Sequence, residues 1–365
     1  MGKKLEFHGS DLEKIGEYYH IPPKDIIPFG ANVNPLGLSA PVKENLAANL
    51  DIISSYPDRS YTSLREAICA YCGAPPSHII TGNGSTELIS LLIEQRKTKK
   101  AVILGPTYSE YVRELHLTGG EIIEYCLKEP EDFLLDVESF LSSIPAHTDL
   151  VILCNPNNPT SSAICTGDIE RILSWCRERG IFVMIDETYV EFAPDVAEIT
   201  AIPLASAYDN VMVIRGVSKF FAAPGLRFGY GITGNEDLLR SLLARQNPWS
   251  LSSVGAYAGE LMLRDRDYIC RTRELICTER EKMYRSLSEM PGIKTYRPYG
   301  NFLLVRLLKE GLTSFQMFEA AIKKKMMIRD CSSFKSLDGE YVRFCIMLPE
   351  ENERLLQCIR KTVEG

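Results

Sequence analysis

Short apolar runs alternate with amphipathic stretches through the first two thirds of the chain. Residues 78–81, 101–104, 121–125, 150–154, 181–185, 211–215 and 228–232 read as strands, several of them nearly all Val, Ile and Leu. Between them apolar positions recur at helical spacing. Ile169, Ile172, Leu173 and Cys176 mark a helix over 168–179, and similar patterns place helices over 43–50, 63–71 and 108–117 and from Leu88 onward. Strands that are apolar throughout must be covered on both faces, so the pattern predicts an α/β fold with a mainly parallel sheet covered by helices. From about Leu251 the pattern changes. A long helical stretch over 252–288, a strand over 301–305, a helix over 314–324 and a strand over 341–346 predict a smaller α+β domain. The expected organisation is an N-terminal arm (1–30) contributing to the small domain, a large domain (31–250) and a small C-terminal domain (251–365).

Length and charge narrow the class. At 365 residues the chain exceeds what one core usually holds, in keeping with two lobes. A formal charge of −7 argues against nucleic acid or an anionic membrane surface as a partner. The basic clusters Lys97-Thr98-Lys99-Lys100 and Lys323-Lys324-Lys325 adjoin helical sequence and read as solvated surface. No apolar run approaches the ~18 residues of a membrane span, and Met1-Gly2-Lys3-Lys4 leads into Leu5-Glu6-Phe7-His8 rather than a secretory signal. The eleven cysteines are odd in number and scattered, which predicts reduced, mostly buried thiols in a cytoplasmic protein. No cysteine pair has zinc-finger spacing and the five histidines are dispersed, so no metal site is expected.

Four segments carry candidate chemistry. Gly82-Asn83-Gly84-Ser85-Thr86-Glu87 lies between a strand and a helix, where glycines admit an anion and the helix start offers N–H groups. Taken alone, it is equally a capped helix after a tight turn. Asn155-Pro156-Asn157-Asn158-Pro159-Thr160 follows an apolar strand, either as a polar turn or as amide donors at the ligand-binding edge of an α/β sheet. Asp186-Glu187-Thr188-Tyr189 closes another buried strand, where a carboxylate is either a helix cap or a partner for a protonated ring nitrogen. Ser218-Lys219-Phe220 is followed by Pro224-Gly225-Leu226-Arg227. A lysine among apolar residues becomes a usable amine when desolvated, and Arg227 suits a phosphate.

In this order, across nearly the whole chain, the four segments resemble the fold-type I pyridoxal-phosphate (PLP) enzymes of the class I/II aminotransferase superfamily. The resemblance implies the PLP-dependent transferase-like fold and a catalytic Lys219 that binds PLP covalently. It implies Asp186 at the pyridine nitrogen, Asn158 and Tyr189 at the ring O3′, and Ser85, Thr86, Ser218 and Arg227 at the cofactor phosphate. Tyr111 would stack on the ring, with Tyr108 as the alternative. Tyr56, in Tyr56-Pro57-Asp58, would reach the phosphate of the other subunit's cofactor, which implies a homodimer with shared active sites.

Within that superfamily the general pattern is similar to histidinol-phosphate aminotransferase. Several segments look more like the L-threonine-O-3-phosphate decarboxylases of cobalamin biosynthesis. These are His8-Gly9, the run from Phe29 to Gly37, Tyr56-Pro57-Asp58, Gln246-Asn247-Pro248-Trp249-Ser250, Ile328-Arg329-Asp330-Cys331, Leu337-Asp338, Tyr341-Val342-Arg343 and Asn352-Glu353-Arg354-Leu355-Leu356. Ser10 stands where that family typically has a second glycine after its histidine, and Asn247 departs from its usual residue before Pro-Trp. The implied reaction is decarboxylation of O-phospho-L-threonine to (R)-1-aminopropan-2-ol O-phosphate, with O-phospho-L-serine as a possible substrate. A substrate bearing carboxylate and phosphate needs two further anion sites, for which Arg329 and Arg343, joined by His8, Asn32 and Asn158, are the candidates. The alternative is a histidinol-phosphate aminotransferase. A third reading, a PLP-binding protein without turnover such as a regulator, ranks last because no DNA-binding extension is read ahead of the PLP-like region.

Overall fold

A computed structural model describes residues 11–365. Seven strands form its first sheet: β1 (Ile79–Gly82), β2 (Lys100–Gly105), β3 (Glu121–Cys126), β4 (Leu150–Cys154), β5 (Phe182–Asp186), β6 (Val211–Gly216) and β7 (Gly229–Ile232). Their order is β1-β7-β6-β5-β4-β2-β3. β2 to β6 pair in parallel, whereas β7 runs antiparallel to both β6 and β1. Every residue of β4, β5 and β6 is buried. The two-residue period of a strand divides their side chains between two cores. Phe182 and Met184 join Leu88, Leu92 and Leu239 on one side, while Val183 and Ile185 join Ile169, Ile172 and Leu173 on the other. This is the covered, mainly parallel sheet that the apolar runs predict.

The second sheet is antiparallel, in the order β10-β11-β9-β8, with β8 (Ile293–Thr295), β9 (Phe302–Leu307), β10 (Arg329–Asp330) and β11 (Tyr341–Cys345). Helices Arg266–Ser288, Ser314–Ile322 and Pro349–Glu364 pack with it. The chain ahead of the first sheet is tied to this region. Ile27 exchanges backbone hydrogen bonds with Lys325 and Met327, and the carbonyl of Phe29 accepts from the N–H of Cys345. That course carries Ala31 and Asn32 back to the first sheet's edge. Among the described residues no helix is long and apolar enough to cross a membrane.

Three expectations are corrected. The helix read from Leu88 begins at Gly84, so Ser85 and Thr86 occupy its first turn. The stretch 252–288 is two helices, Ser253–Arg264 and Arg266–Ser288. Asp265 divides them, accepting from the Tyr268 N–H at 3.0 Å and from the Ser39 hydroxyl at 2.6 Å. The helix over 43–50 starts earlier, at Ala40, where the Ser39 hydroxyl caps the Val42 N–H. The eleven cysteines are all unpaired; five are buried, four half-buried, and Cys165 and Cys270 exposed.

Where β5 ends beside β6 lies a buried ion pair. Glu187 accepts from Arg215 at 2.7 and 2.9 Å, and Thr200 and the Ala201 N–H fill its remaining valences. Nearby Glu191 is buried and one of its carboxylate oxygens has no partner. Burial, partly offset by the Arg215 cation, pushes Glu191 up to about 7 from an ordinary 4.5. An acid whose folded pKa is raised favours folding while protonated. Its contribution is fully present below about 4.5 and lost as pH rises through about 7, a loss of about 3 kcal/mol. Glu191→Gln is therefore expected to flatten the fall in denaturation free energy between pH 5 and pH 8. An unchanged pH slope in the variant would show that the Glu191 carboxyl is ordinary.

Candidate active site

The parallel strands end along one edge of the first sheet, and the candidate residues gather there. One cleft is lined by Ser85, Thr86, Tyr111, Asn158, Asp186, Tyr189, Ser218, Lys219 and Arg227 from the first-sheet region, with Asn32 and Arg343 closing it from above. Tyr108, Thr188, Gly30 and Ala31 also line it.

The anion end is built from backbone. Gly84 has φ +81, which a residue with a side chain rarely adopts, and a Cβ there would stand 2.5 Å from Arg227 Nη2. Glycine thus lets the Arg227 guanidinium lie directly on the start of the helix Gly84–Arg96. No side chain caps that helix, so its first N–H groups remain available to a ligand. Arg227 itself sits in the left-handed region at φ 56.

At the floor, Asp186 closes β5. It is buried, and its carboxylate accepts from the Tyr111 hydroxyl at 2.6 Å, the Thr188 N–H at 2.9 Å and the Thr188 hydroxyl at 2.5 Å. Burial raises the Asp186 pKa and these hydrogen bonds oppose the rise. Among the described residues no cation forms an ion pair with it, so a cationic ring nitrogen would supply the missing counter-charge. Tyr111 is fully buried and lines the cleft, with its hydroxyl committed to Asp186. Its ring meets that of Tyr108 edge-on at 5.6 Å.

Lys219 follows β6. Its Nζ donates to the Ala31 carbonyl at 2.8 Å. Burial, reinforced by the Arg343 charge, lowers its pKa to about 8. A useful share of free amine is therefore present near neutral pH.

Arg343 comes from β11 in the second sheet and is also buried. It donates to the Asn158 side-chain oxygen and, at 2.8 Å, to the Gly30 carbonyl, while its buried Nε has no partner. Among the described residues no carboxylate pairs with it. Asn32, with a buried side-chain oxygen lacking a partner, directs its amide toward the Tyr189 hydroxyl at 3.5 Å. Arg329 lies directly opposite Arg343 in the β10–β11 register and lines the adjoining outer wall, where it donates to the Ser333 hydroxyl at 2.9 Å.

Two candidates lie elsewhere. Tyr56 is 78% exposed and does not line the cleft; it stacks on Trp249 at 4.5 Å in a separate surface groove. His8 falls outside the described residues. The sequence reading did not single out Thr188 or the Gly30 and Ala31 carbonyls. An Asp-x-Thr at a strand end is a local signal for the first; the carbonyls leave no trace in side-chain chemistry.

The family model described as "Aminotransferase class I and II" matches residues 24–359. The chain belongs to that family. It is 32% identical to the threonine-phosphate decarboxylase of Salmonella typhimurium over 358 residues, covering 98% of this chain and 97% of that one. It is 33% identical to the histidinol-phosphate aminotransferase of Methanococcus aeolicus over 361 residues, 97% of this chain and 95% of that one. The crystal structure of the histidinol-phosphate aminotransferase from Clostridium acetobutylicum superimposes with a TM-score of 0.85 at 30% identity, covering 92% of this chain and 98% of that one. The family member described here is thus a fold-type I protein, its relatives are PLP-dependent enzymes, and its cofactor is pyridoxal 5′-phosphate. The residues present fit that cofactor: available helix N–H groups and Arg227 for a phosphate, a buried carboxylate lacking a cation for a pyridinium, and a desolvated lysine for an aldehyde.

Proposed function

We propose that this family member decarboxylates O-phospho-L-threonine to (R)-1-aminopropan-2-ol O-phosphate, a building block of cobalamin, and accepts O-phospho-L-serine in the same site. The observation that carries the reading is Arg343 facing Arg329 across the β10–β11 register. Arg343 lines the cleft and Arg329 the adjoining wall, two cationic positions that suit a substrate with two anionic groups. The resemblance of the segments around His8, Asn32, Trp249 and Arg329 to the decarboxylases supports loss of the carboxylate rather than transfer of the amine.

PLP, when bound, supplies an electron sink for the pair left at Cα as a bond there breaks. The protein's part is to choose the bond and manage the protons. Asp186 holds negative charge where the ring nitrogen would lie, and Tyr111 and Thr188 fix its orientation. Asn158 and Tyr189 would meet the ring oxygen. Ser85, Thr86, Ser218 and Arg227 would hold the cofactor phosphate. Arg329, Arg343, Asn32 and His8 would hold the substrate's anions and so fix the orientation of its Cα–carboxylate bond. Loss of the carboxylate as CO2 would leave its bonding pair at Cα, and Lys219, in its ammonium form, would supply the proton that takes the carboxylate's place. We further propose that two copies associate and that the partner subunit's Tyr56 reaches this cleft. Support comes from exposed Ile53, Tyr56 and Trp249, which line one surface groove.

The test is product analysis after mixing the PLP-loaded protein with O-phospho-L-threonine in the absence of any keto acid. Aminopropanol phosphate and CO2 are expected, and neither from Lys219→Ala. Absence of CO2, with glutamate formed from 2-oxoglutarate and histidinol phosphate, would instead make the chain an aminotransferase. The similarity to the Methanococcus aeolicus enzyme keeps that second reading in view.

A further inference from the structure

The outer wall of the cleft carries a third cation that neither the proposed chemistry nor the sequence motifs use. Lys335 lies in the loop between β10 and β11 and shares this wall with Arg329, Ser333, Arg343 and Asn158. Its Nζ is 3.2 Å from Oε2 of Glu124, on the edge strand β3. The Glu124 side chain is folded over Gly105; a Cβ there would stand 2.1 Å from Glu124 Oε1. Gly105 therefore makes room for the carboxylate to sit at the wall. The lysine side chain is 66% exposed and the glutamate 17%. Lys335 and Glu124 thus share one wall with Arg329 and Arg343.

A partly exposed ion pair of this kind is weak and readily exchanged. A phosphate monoester carries up to two charges and three acceptor oxygens, so it outcompetes a single carboxylate for an ammonium group. A lysine on a four-carbon stem can turn from one to the other without moving the backbone.

We propose that Lys335 selects for the substrate phosphate by exchanging Glu124 for it, with Glu124 acting as a built-in competitor that sets the affinity. The inference rests on the phosphorylated-substrate reading above and holds whether the reaction is decarboxylation or amine transfer.

The test is calorimetric binding of inorganic phosphate to the PLP-loaded protein, in wild type, Lys335→Met and Glu124→Gln, with melting temperature as the folding control. Lys335→Met should weaken phosphate about tenfold, and Lys335→Arg should restore most of it. Glu124→Gln should tighten it several-fold. Opposite signs are the signature of exchange. If the pair merely fastens the loop, the two variants lose the same contact and shift together, or neither shifts, and the proposal is overturned with the wild-type affinity intact. Failure of the wild type itself to bind phosphate would overturn the phosphorylated-substrate reading and this inference with it.

Discussion

Lys219→Ala is expected to lower turnover by on the order of 10⁴-fold and to remove the visible absorbance of the lysine-bound cofactor. Among the described residues no other lysine lines the cleft, and the side chain's one hydrogen bond goes to the Ala31 carbonyl. Removing it should leave the fold intact, so the loss reads as chemistry. The lysine must also present a free amine. With a pKa lowered to about 8 by burial and the Arg343 charge, the free fraction grows as pH rises through about 8. Cofactor capture by wild type should accelerate over the same interval. Retention of more than about a hundredth of wild-type turnover in Lys219→Ala would remove the residue from the catalytic role.

Asp186→Asn is expected to cost on the order of 10²–10³-fold in turnover. Asparagine keeps the shape, its oxygen can still accept from Thr188, and its NH2 group can donate to the Tyr111 hydroxyl in place of the bond it accepted, so the change chiefly removes charge. In the buried setting of Asp186 a charge is worth far more than at the surface. Tyr111→Phe is the graded control, since it deletes only the 2.6 Å hydrogen bond to the carboxylate. Its effect should be nearer tenfold. Should Asp186→Asn turn over like wild type, the carboxylate would be a structural acceptor and the electronic role would fall.

The strands and the four segments were legible because their signals are local. An apolar run flanked by glycine or proline reads as a covered strand wherever it falls in the chain. Errors arose where local pattern and tertiary contact part company. Gly84 to Glu87 are polar and lack helical periodicity, yet they form the helix's first turn, with Arg227, far along the chain, lying against Gly84. The break at Asp265 escapes any periodicity argument, since a hydroxyl from Ser39 shares that carboxylate. Lys219 and Arg227 were readable as neighbours eight positions apart. The bond from Arg343 to Asn158 joins two sheets, and the salt link between Lys335 and Glu124 joins a loop to an edge strand. Neither has a counterpart in spacing. Tyr56 could be singled out by its motif, but one chain alone does not bring it to the cleft.

The strand order has a further consequence. Tyr111, Asn158, Asp186 and Lys219 follow or close β2, β4, β5 and β6, and those four strands are neighbours in that same succession. Position along the gene therefore maps onto position across the cleft. The opposite ends of these strands are about 17 Å away, at roughly 3.3 Å per residue. Turns there, such as those at Gly119-Gly120 and Gly180, can lengthen, shorten or diverge without disturbing the chemistry. Reaction type and substrate can thus change through a few residues at one edge, while the other edge records ancestry.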